Sequence, residues 1–377
     1  MKLYVPAAFG LEQVVKRQLN KLGYDNCPAF NGRIAVEGGW TDVARINMFI
    51  RSGERVLVEV GSFRAATFDE LYGGFYSIPW ENYLTVHSQI LMDGKSVKST
   101  LGAIKASGSV AKKAIIRRLI DKKRLNCRNL DETGPRTIVG FSIYNDEVSV
   151  TIDTTGDGLH KRGYRTLAYT APLKETLAAA LIDMSYYFPD KVFADPFCGS
   201  GTLPVEAAIK SLNIAPGKNR RFDFMDWKFV PEDAYALALE EAKDGEELSK
   251  KVEIYGSDIN PEAISIAKYH AKRAGVDGKI TFKTMDMRKF SSKEKRGVMI
   301  SNPPYGERLD SEDEVKAICK DLGVLYKSLP DWNMYILSGY PEFERNFGRR
   351  ADKTKKLYNA NIQCNFYSFL SSKPQKE

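Results

Sequence analysis

The chain is 377 residues long, carries 56 Lys and Arg against 48 Asp and Glu for a net charge of +8, and is 43% hydrophobic. That length supports two or three domains, each with its own core, and the composition is that of an ordinary globular protein. Five scattered cysteines (27, 127, 198, 319, 364) without a Cys-x-x-Cys pair, and three histidines, speak against a disulfide framework and against a metal centre. The start, Met1-Lys2-Leu3-Tyr4-Val5-Pro6, lacks the apolar core of a signal peptide, and no run approaches a membrane span. A reduced, cytoplasmic protein is expected, without membrane or metal partners.

Residues 1–60 read as a small α+β unit. Leu3-Tyr4-Val5 is a candidate strand, and Leu11, Val14, Val15, Leu19 and Leu22 recur at helical spacing. The alternating stretch 32–37 predicts a returning strand, and a helix near 41–51 and a strand over 55–60 complete the unit. The segment 61–155 changes character. Between Lys95 and Arg136 twelve basic residues face three acids, a net +9 that exceeds the +8 of the whole chain. Within it, 110–120 predicts an amphipathic helix carrying Lys112, Lys113, Arg117 and Arg118 on its open face. Such a concentration on one element is the footprint of phosphate-backbone binding. Residues 138–150 alternate as two strands around Asn145-Asp146, a hairpin turn pair.

The junction that follows crowds His160, Lys161, Arg162 and Arg165 among glycines. It suits a phosphate or a flipped nucleotide, or serves as a basic linker. A helix over 173–181 comes next. From about 165 to 377 strands and helices alternate, with strands at 192–194, 252–257, 280–282, 298–301 and 334–337, and helices near 202–212, 261–274 and 313–328. A hairpin from 355–357 to 362–369 closes the series. This alternation predicts an α/β, doubly wound, mostly parallel sheet. Residues 213–250 form an insertion with Arg220, Arg221, Phe222, Phe224 and Trp227 ahead of a helix at 232–249. Those side chains either grip RNA or dock the insertion on the sheet.

In such a sheet ligands bind at the carboxyl ends of the strands, and three successive ends carry an acid. Asp195 opens Asp195-Pro196-Phe197-Cys198-Gly199-Ser200-Gly201-Thr202, a glycine turn that lets backbone approach a ligand closely. Asp258, followed by Ile259, is placed to accept both hydroxyls of a ribose. Asp286, followed by Met287, is placed to accept from an adenine amine. Pro204 stands where a dinucleotide fingerprint has its third glycine, and no Gly-Lys-Ser/Thr closes the turn, so those cofactor classes are excluded. An acid opening a glycine turn suits the amino-acid end of S-adenosyl-L-methionine. Cys198, inside the turn, reads as a small packing residue rather than a nucleophile.

The fourth strand ends in Asn302-Pro303-Pro304-Tyr305. The prolines fix φ and hold their predecessors extended, so the corner keeps its shape without a ligand. The Asn302 side-chain oxygen and the Pro303 carbonyl are then placed to accept both hydrogens of an exocyclic amine, with Tyr305 stacked on its ring.

At these residues the sequence resembles the RNA methylase family. More narrowly, Asp195–Thr202 with Asn302-Pro-Pro-Tyr-Gly-Glu-Arg-Leu309 is similar to the RlmL-type guanine-N2 methyltransferases of large-subunit ribosomal RNA. The junction Leu159-His-Lys-Arg-Gly-Tyr-Arg165, followed by Ala171-Pro-Leu-Lys-Glu-Thr-Leu-Ala-Ala-Ala-Leu181, resembles the same family. The resemblance covers essentially the whole chain. It implies a ferredoxin-like domain over 1–60, a THUMP RNA-binding domain over 61–155 and a Rossmann-like methyltransferase domain over 165–377, with S-adenosyl-L-methionine as cofactor. It further implies that Asp195, Gly199 and Gly201 hold the methionine part, Asp258 the ribose, Asp286 the adenine, and Asn302 to Tyr305 the target amine. Some relatives carry a second methyltransferase domain behind this one, and this chain, from its length, is expected not to contain it. A tRNA guanine-N2 methyltransferase has the same parts. A DNA adenine or protein glutamine enzyme shares Asn-Pro-Pro-Tyr, and an RNA-binding module with a retired pocket is the non-enzyme alternative.

Overall fold

The computed structural model describes residues 1–30, 32–127, 129–167, 173–294, 296–304 and 312–371. Tyr305 of the predicted corner lies outside them, as do residues 171–172 and 306–309 of the family motifs.

The amino-terminal half is built on strands β1 (Lys2–Pro6), β2 (Ala29–Phe30), β3 (Arg33–Glu37), β4 (Leu57–Arg64), β5 (Gln89–Val97), β6 (Arg136–Tyr144) and β7 (Glu147–Asp153). They form one sheet in the order β2-β3-β1-β4-β7-β6-β5. Helices α1 (Glu12–Lys21), α2 (Trp40–Phe49), α3 (Phe68–Ser77) and α4 (Ile104–Lys123) pack with it. The strand β4 crosses residue 60. It pairs with β1 through Val58 and Leu57 and with β7 along its whole length, bulging between Glu59 and Gly61. The first two units therefore share a continuous sheet. Both turn residues between β6 and β7, Asn145 and Asp146, have positive φ (50° and 63°), as a tight two-residue hairpin requires.

The carboxyl-terminal half holds β8 (Val192–Asp195), β9 (Ile254–Asp258), β10 (Ile280–Thr284), β11 (Gly297–Ser301), β12 (Trp332–Ser338), β13 (Lys353–Asn359) and β14 (Ile362–Phe369). Their order is β10-β9-β8-β11-β12-β14-β13, parallel except where β14 meets β12 and β13. Every residue of β11 and β12 is buried, which is why both read as apolar runs. Helices α5 (Glu175–Met184), α6 (Thr202–Ser211) and α8 (Pro261–Arg273) cover one face. Helices α9 (Glu312–Ser328) and α10 (Phe343–Phe347) cover the other. The chain runs outward from β8 through β9 and β10, then returns to β11 on the opposite side. The switch point thus lies between β8 and β11, the strands ending at Asp195 and before Asn302.

The insertion does not rest on its own sheet. Phe222, Phe224, Trp227 and Val230, with Ala234, Ala238 and Ala242 of α7 (Asp233–Asp244), belong to the amino-terminal hydrophobic core. Alanines at every fourth position give α7 a smooth face that packs on α2. Trp227 stacks on Phe229 (5.4 Å) and meets Trp40 edge-on (6.4 Å), while its Nε1 donates to the carbonyl of Arg136 (3.2 Å). Arg45 of α2 clasps Glu241 of α7, and Arg136 pairs with Asp223. Of the two uses open to these aromatics, docking is the one the fold makes, and the surface they dock on belongs to the other half of the chain.

Candidate cofactor and amine-transfer site

The site assembles at the carboxyl ends of β8, β9 and β11. Asp195, the last residue of β8, is 2% exposed. Its Oδ1 accepts from Ser301 Oγ (2.6 Å), the end of β11, and from the Phe197 amide (3.1 Å). Burial pushes its carboxyl up to about 7, aided by the charge of Asp258 and opposed by those two hydrogen bonds. The turn beyond it is closed by backbone: the Cys198 amide donates to Ser257 O (2.9 Å) and the Gly201 amide to Cys198 O (2.8 Å).

Gly199 and Gly201 have φ of +51° and +85°, which glycine adopts without strain. A Cβ on Gly201 would stand 2.9 Å from Ala267 Cβ of α8, so this glycine also sets how closely the turn approaches that helix. Pro196 and Thr202, the first residue of α6, are buried. Cys198 is buried too, and its thiol is raised well above its ordinary range by desolvation and by Asp195 and Asp258. A thiol so held stays protonated and is no nucleophile, in keeping with a packing role.

Asp258, at the end of β9, is only partly buried. Its Oδ2 accepts from the Gly199 amide (3.0 Å) and its Oδ1 from the Asn260 amide (2.9 Å). It therefore ties the glycine turn to β9. Ile259 beside it is 69% exposed. Asp286 caps a short helical turn by accepting from the amide (2.9 Å) and Nε (3.1 Å) of Arg288, and the backbone bond above all lowers its carboxyl below the ordinary range. Met287, next in the chain, is buried, with its side chain in the core under α9.

Asn302 follows Ser301, and among the described residues its Oδ1 is buried without a hydrogen-bond partner. An orphaned buried acceptor costs on the order of 1–3 kcal/mol, a cost that a donor reaching this atom would remove. A buried carboxyl, a glycine cradle and an orphaned amide oxygen converge at the switch point. They fit a ligand with an ammonium group beside a second molecule that brings a donor. Ser301 was not singled out in the sequence, although a lone hydroxyl closing the apolar run Val298-Met299-Ile300 is a readable sign. His270 was missed as well. It is fully buried on α8, and its Nδ1 donates to Ser200 O (3.0 Å) inside the glycine turn.

The basic residues distribute differently from expectation. Arg162 is 3% exposed and committed to Leu159 O, Arg51 O and the Glu206 carboxylate of α6 (3.5 Å). Arg165 is held by Glu175 (3.2 Å) and Leu173 O (2.8 Å). Arg162 has no free face for a phosphate and is corrected to a structural role at the junction, whereas Arg165 keeps 20% of its side chain exposed. His160 is half-buried and pushed down to about 4, by desolvation first and by surrounding cations second. It is neutral at pH 7. Lys161 pairs with Asp157 at the surface (3.2 Å).

On α4, Arg118 turns inward onto Glu81 (2.7 Å) and the carbonyl of Tyr76, which removes it from the open face. Lys112 pairs with Glu132 (2.8 Å) and Arg117 with Asp121 (2.9 Å). Lys113 stays exposed, as do Lys105, Lys122, Lys123 and Arg124. The basic face exists, shifted toward the ends of the helix.

Among the described residues no helix is long and apolar enough to cross a membrane, and no group of three or more metal-ligating side chains is found.

Three family models match the chain: the RlmL ferredoxin-like domain over residues 2–57, the THUMP domain over 65–153, and the RMKL-like methyltransferase domain over 162–368. A Bacillus subtilis protein named "Putative RNA methyltransferase YpsC" is 38% identical over 376 residues, covering 100% of this chain and 97% of its own length. The "Ribosomal RNA large subunit methyltransferase K/L" of Psychromonas ingrahamii is 32% identical across 97% of this chain, which spans about half (49%) of that relative. Among solved structures, SMU.472, described as "a putative methyltransferase complexed with SAH", superposes with a TM-score of 0.93 at 39% identity over 99% of both chains. With a methyltransferase match over more than half its length and a full-length relative of 38% identity, this chain belongs to the RMKL-like family of S-adenosylmethionine-dependent methyltransferases that carry RlmL-type ferredoxin-like and THUMP domains.

Proposed function

We propose that the chain methylates the exocyclic N2 of a guanine in RNA, and that the RNA is the large-subunit (23S) ribosomal RNA. The observation that carries this reading is the buried, unpartnered Oδ1 of Asn302 at the switch point. An aromatic amine has its lone pair delocalised into the ring. Two acceptors on its hydrogens, Asn302 Oδ1 and Pro303 O, favour the pyramidal form whose lone pair points at an electrophile. Bound S-adenosylmethionine supplies that electrophile as an activated methyl group. Asp195 accepts from the ammonium of the same cofactor, Asp258 from its ribose and Asp286 from its adenine, and the Gly199–Gly201 turn gives backbone access. Catalysis is then mostly orientation, which is worth several kcal/mol when reacting atoms are held in line. The guanine leaves its stack to reach the corner and rests on Tyr305.

The match to THUMP and the names of the relatives support RNA, and the K/L name supports the large subunit. On this reading residues 1–60, 61–155 and 165–377 are the ferredoxin-like, RNA-binding and methyltransferase domains, and the enzyme works in the cytoplasm. The test is transfer of labelled methyl from S-adenosylmethionine into total RNA from a strain lacking the gene, followed by nucleoside analysis. N2-methylguanosine in 23S rRNA is expected. Label in tRNA alone would redirect the substrate, and label only in DNA or protein would overturn the RNA reading.

A further inference from the structure

The methyltransferase sheet ends on β13, and this edge has a composition that the catalytic site does not use. Residues 345–356 contain Arg345, Arg349, Arg350, Lys353, Lys355 and Lys356 against the single acid Asp352, a net +5 within twelve residues. Arg349 is spent on Asp352 (2.8 Å) and Tyr326, and Arg345 lies against Glu342 (3.3 Å). The three lysines of β13 are exposed and make no ion pair among the described residues.

Aromatic rings interleave with these charges. Lys356 lies over Tyr358 (5.8 Å), and Tyr358 meets Phe9 edge-on (5.6 Å). Phe9 is 62% exposed and comes from the loop between β1 and α1, so the amino-terminal unit supplies part of the surface. Its neighbour Gly10 has φ +84°, and a Cβ there would stand 3.0 Å from Lys356 O, which fixes the loop against β13.

Register places this surface beside the site. Ser301 pairs with Ile336, Ile336 with Tyr367, and Tyr367 with Thr354. Thr354 is therefore level with Ser301, and because β13 runs in the direction of β11, Lys355 and Lys356 are level with the Asn302-Pro303 corner. Tyr358 and the exposed Ile362 of the hairpin extend beyond it. The lateral separation is three strand spacings, about 14 Å.

The geometry points to this edge as a second nucleic-acid contact, separate from α4: a track for the single-stranded RNA flanking the extruded base, with Lys355 and Lys356 on phosphates and Phe9 and Tyr358 stacking a base. Positive charge that tracks the backbone together with aromatic platforms is the pattern that binds single strands without sequence preference. Lysines on an edge strand also block sheet-to-sheet pairing, but that duty does not call for the exposed Phe9–Tyr358 pair. The inference rests on RNA as substrate.

The test uses the full chain and a labelled twelve-nucleotide single-stranded RNA, titrated at several salt concentrations, with S-adenosylhomocysteine binding and sedimentation as controls. The Lys355→Glu/Lys356→Glu variant keeps the edge charged, so its protection against pairing survives while its phosphate contacts reverse. Its slope of log affinity against log salt should fall by about 1.4 or more, two phosphates at about 0.7 each. Phe9→Ala/Tyr358→Ala should weaken binding by about fivefold or more at unchanged slope. Both should bind S-adenosylhomocysteine like wild type. Wild-type RNA binding that neither variant alters would overturn the edge track and leave the RNA reading standing. Absence of RNA binding by wild type, with intact cofactor binding, would sink both readings together.

Discussion

On the proposed assignment of Asp195 to the cofactor's ammonium, cofactor binding depends on pH in a calculable way. In the unfolded chain its carboxyl titrates near 3.8, and in the fold burial raises it to about 7. An acid with a raised folded value is held protonated between those two pH values. Folding stability therefore declines as pH rises from about 4 to 7, by at most about 4 kcal/mol. A cationic ligand group beside the carboxylate returns that cost, because it stabilises the ionised form. Below pH 7 each binding event must first ionise Asp195. Affinity for S-adenosylhomocysteine should then fall about tenfold per pH unit below 7, reaching about thirtyfold weaker at pH 5.5 than at pH 8. Calorimetric titration across pH 5.5–8 measures this directly. Glu175 is also raised to about 7, but it faces Arg165 in the domain junction rather than the cofactor turn. The Asp195→Asn variant separates the two: it should bind weakly at pH 8 and show a flat profile. A flat profile in wild type would refute the assignment of Asp195 to the ammonium.

Three further outcomes follow from the same geometry. Asn302→Ala should lower kcat by about 10²–10³, the usual loss for one oriented polar group, with S-adenosylhomocysteine affinity within a few-fold; joint loss of both would place Asn302 in the cofactor site. Gly201→Ala forces a left-handed residue, which costs about 1–2 kcal/mol, and drives a Cβ to 2.9 Å from Ala267; it should weaken cofactor binding while leaving binding of the single-stranded RNA unchanged. Trp227→Ala should cost about 3–5 kcal/mol in denaturant unfolding and destabilise the amino-terminal half, since that is the core its ring fills; unchanged stability of that half would contradict the shared core.

The parallel strands were legible because residues buried on both faces leave continuous apolar runs, as at 298–301 and 334–337. The strand β5 was not, because of its nine residues only Ile90 is buried and Gly94 interrupts the pattern. Gly94 is there to admit the Phe141 ring, which would lie 2.2 Å from a Cβ, and no local pattern announces that. Helix α3 was missed although Thr67 and Glu70 form a capping box, a local sign that was readable. At the site, Asp195 and the glycines were visible because the turn concentrates them in eight consecutive residues, and Asp258 and Asp286 because each closes or follows a strand with a readable apolar pattern. Arg162 misled for the opposite reason. Its charge is local, but Glu206, which neutralises it, lies on a helix farther along the chain, and short-range spacing cannot show such a pairing.

The same long-range contacts bear on how an RNA would be positioned. The α1 helix contributes Val15 and Leu19 to the amino-terminal core and Val14, with Leu11 just before the helix, to the methyltransferase core. Gln18 of that helix donates to Asp183 of α5 (2.5 Å), and Asp183 pairs with Lys210 of α6 (2.7 Å). Arg51 reaches the carbonyl of Ile214 (2.9 Å), and the Gly217 amide donates to Met48 O (2.9 Å). With the insertion seated in the amino-terminal core, the two halves are joined by apolar packing, by the Arg45–Glu241 and Arg136–Asp223 ion pairs and by hydrogen bonds rather than by a linker. A pair of domains so joined has little freedom to close around a ligand. The basic ends of α4 and the Asn302 corner therefore stand at a fixed separation. On the proposed reading, choice of the guanine falls to RNA shape: the base that is methylated is the one the RNA fold presents at that distance from the phosphates held by α4.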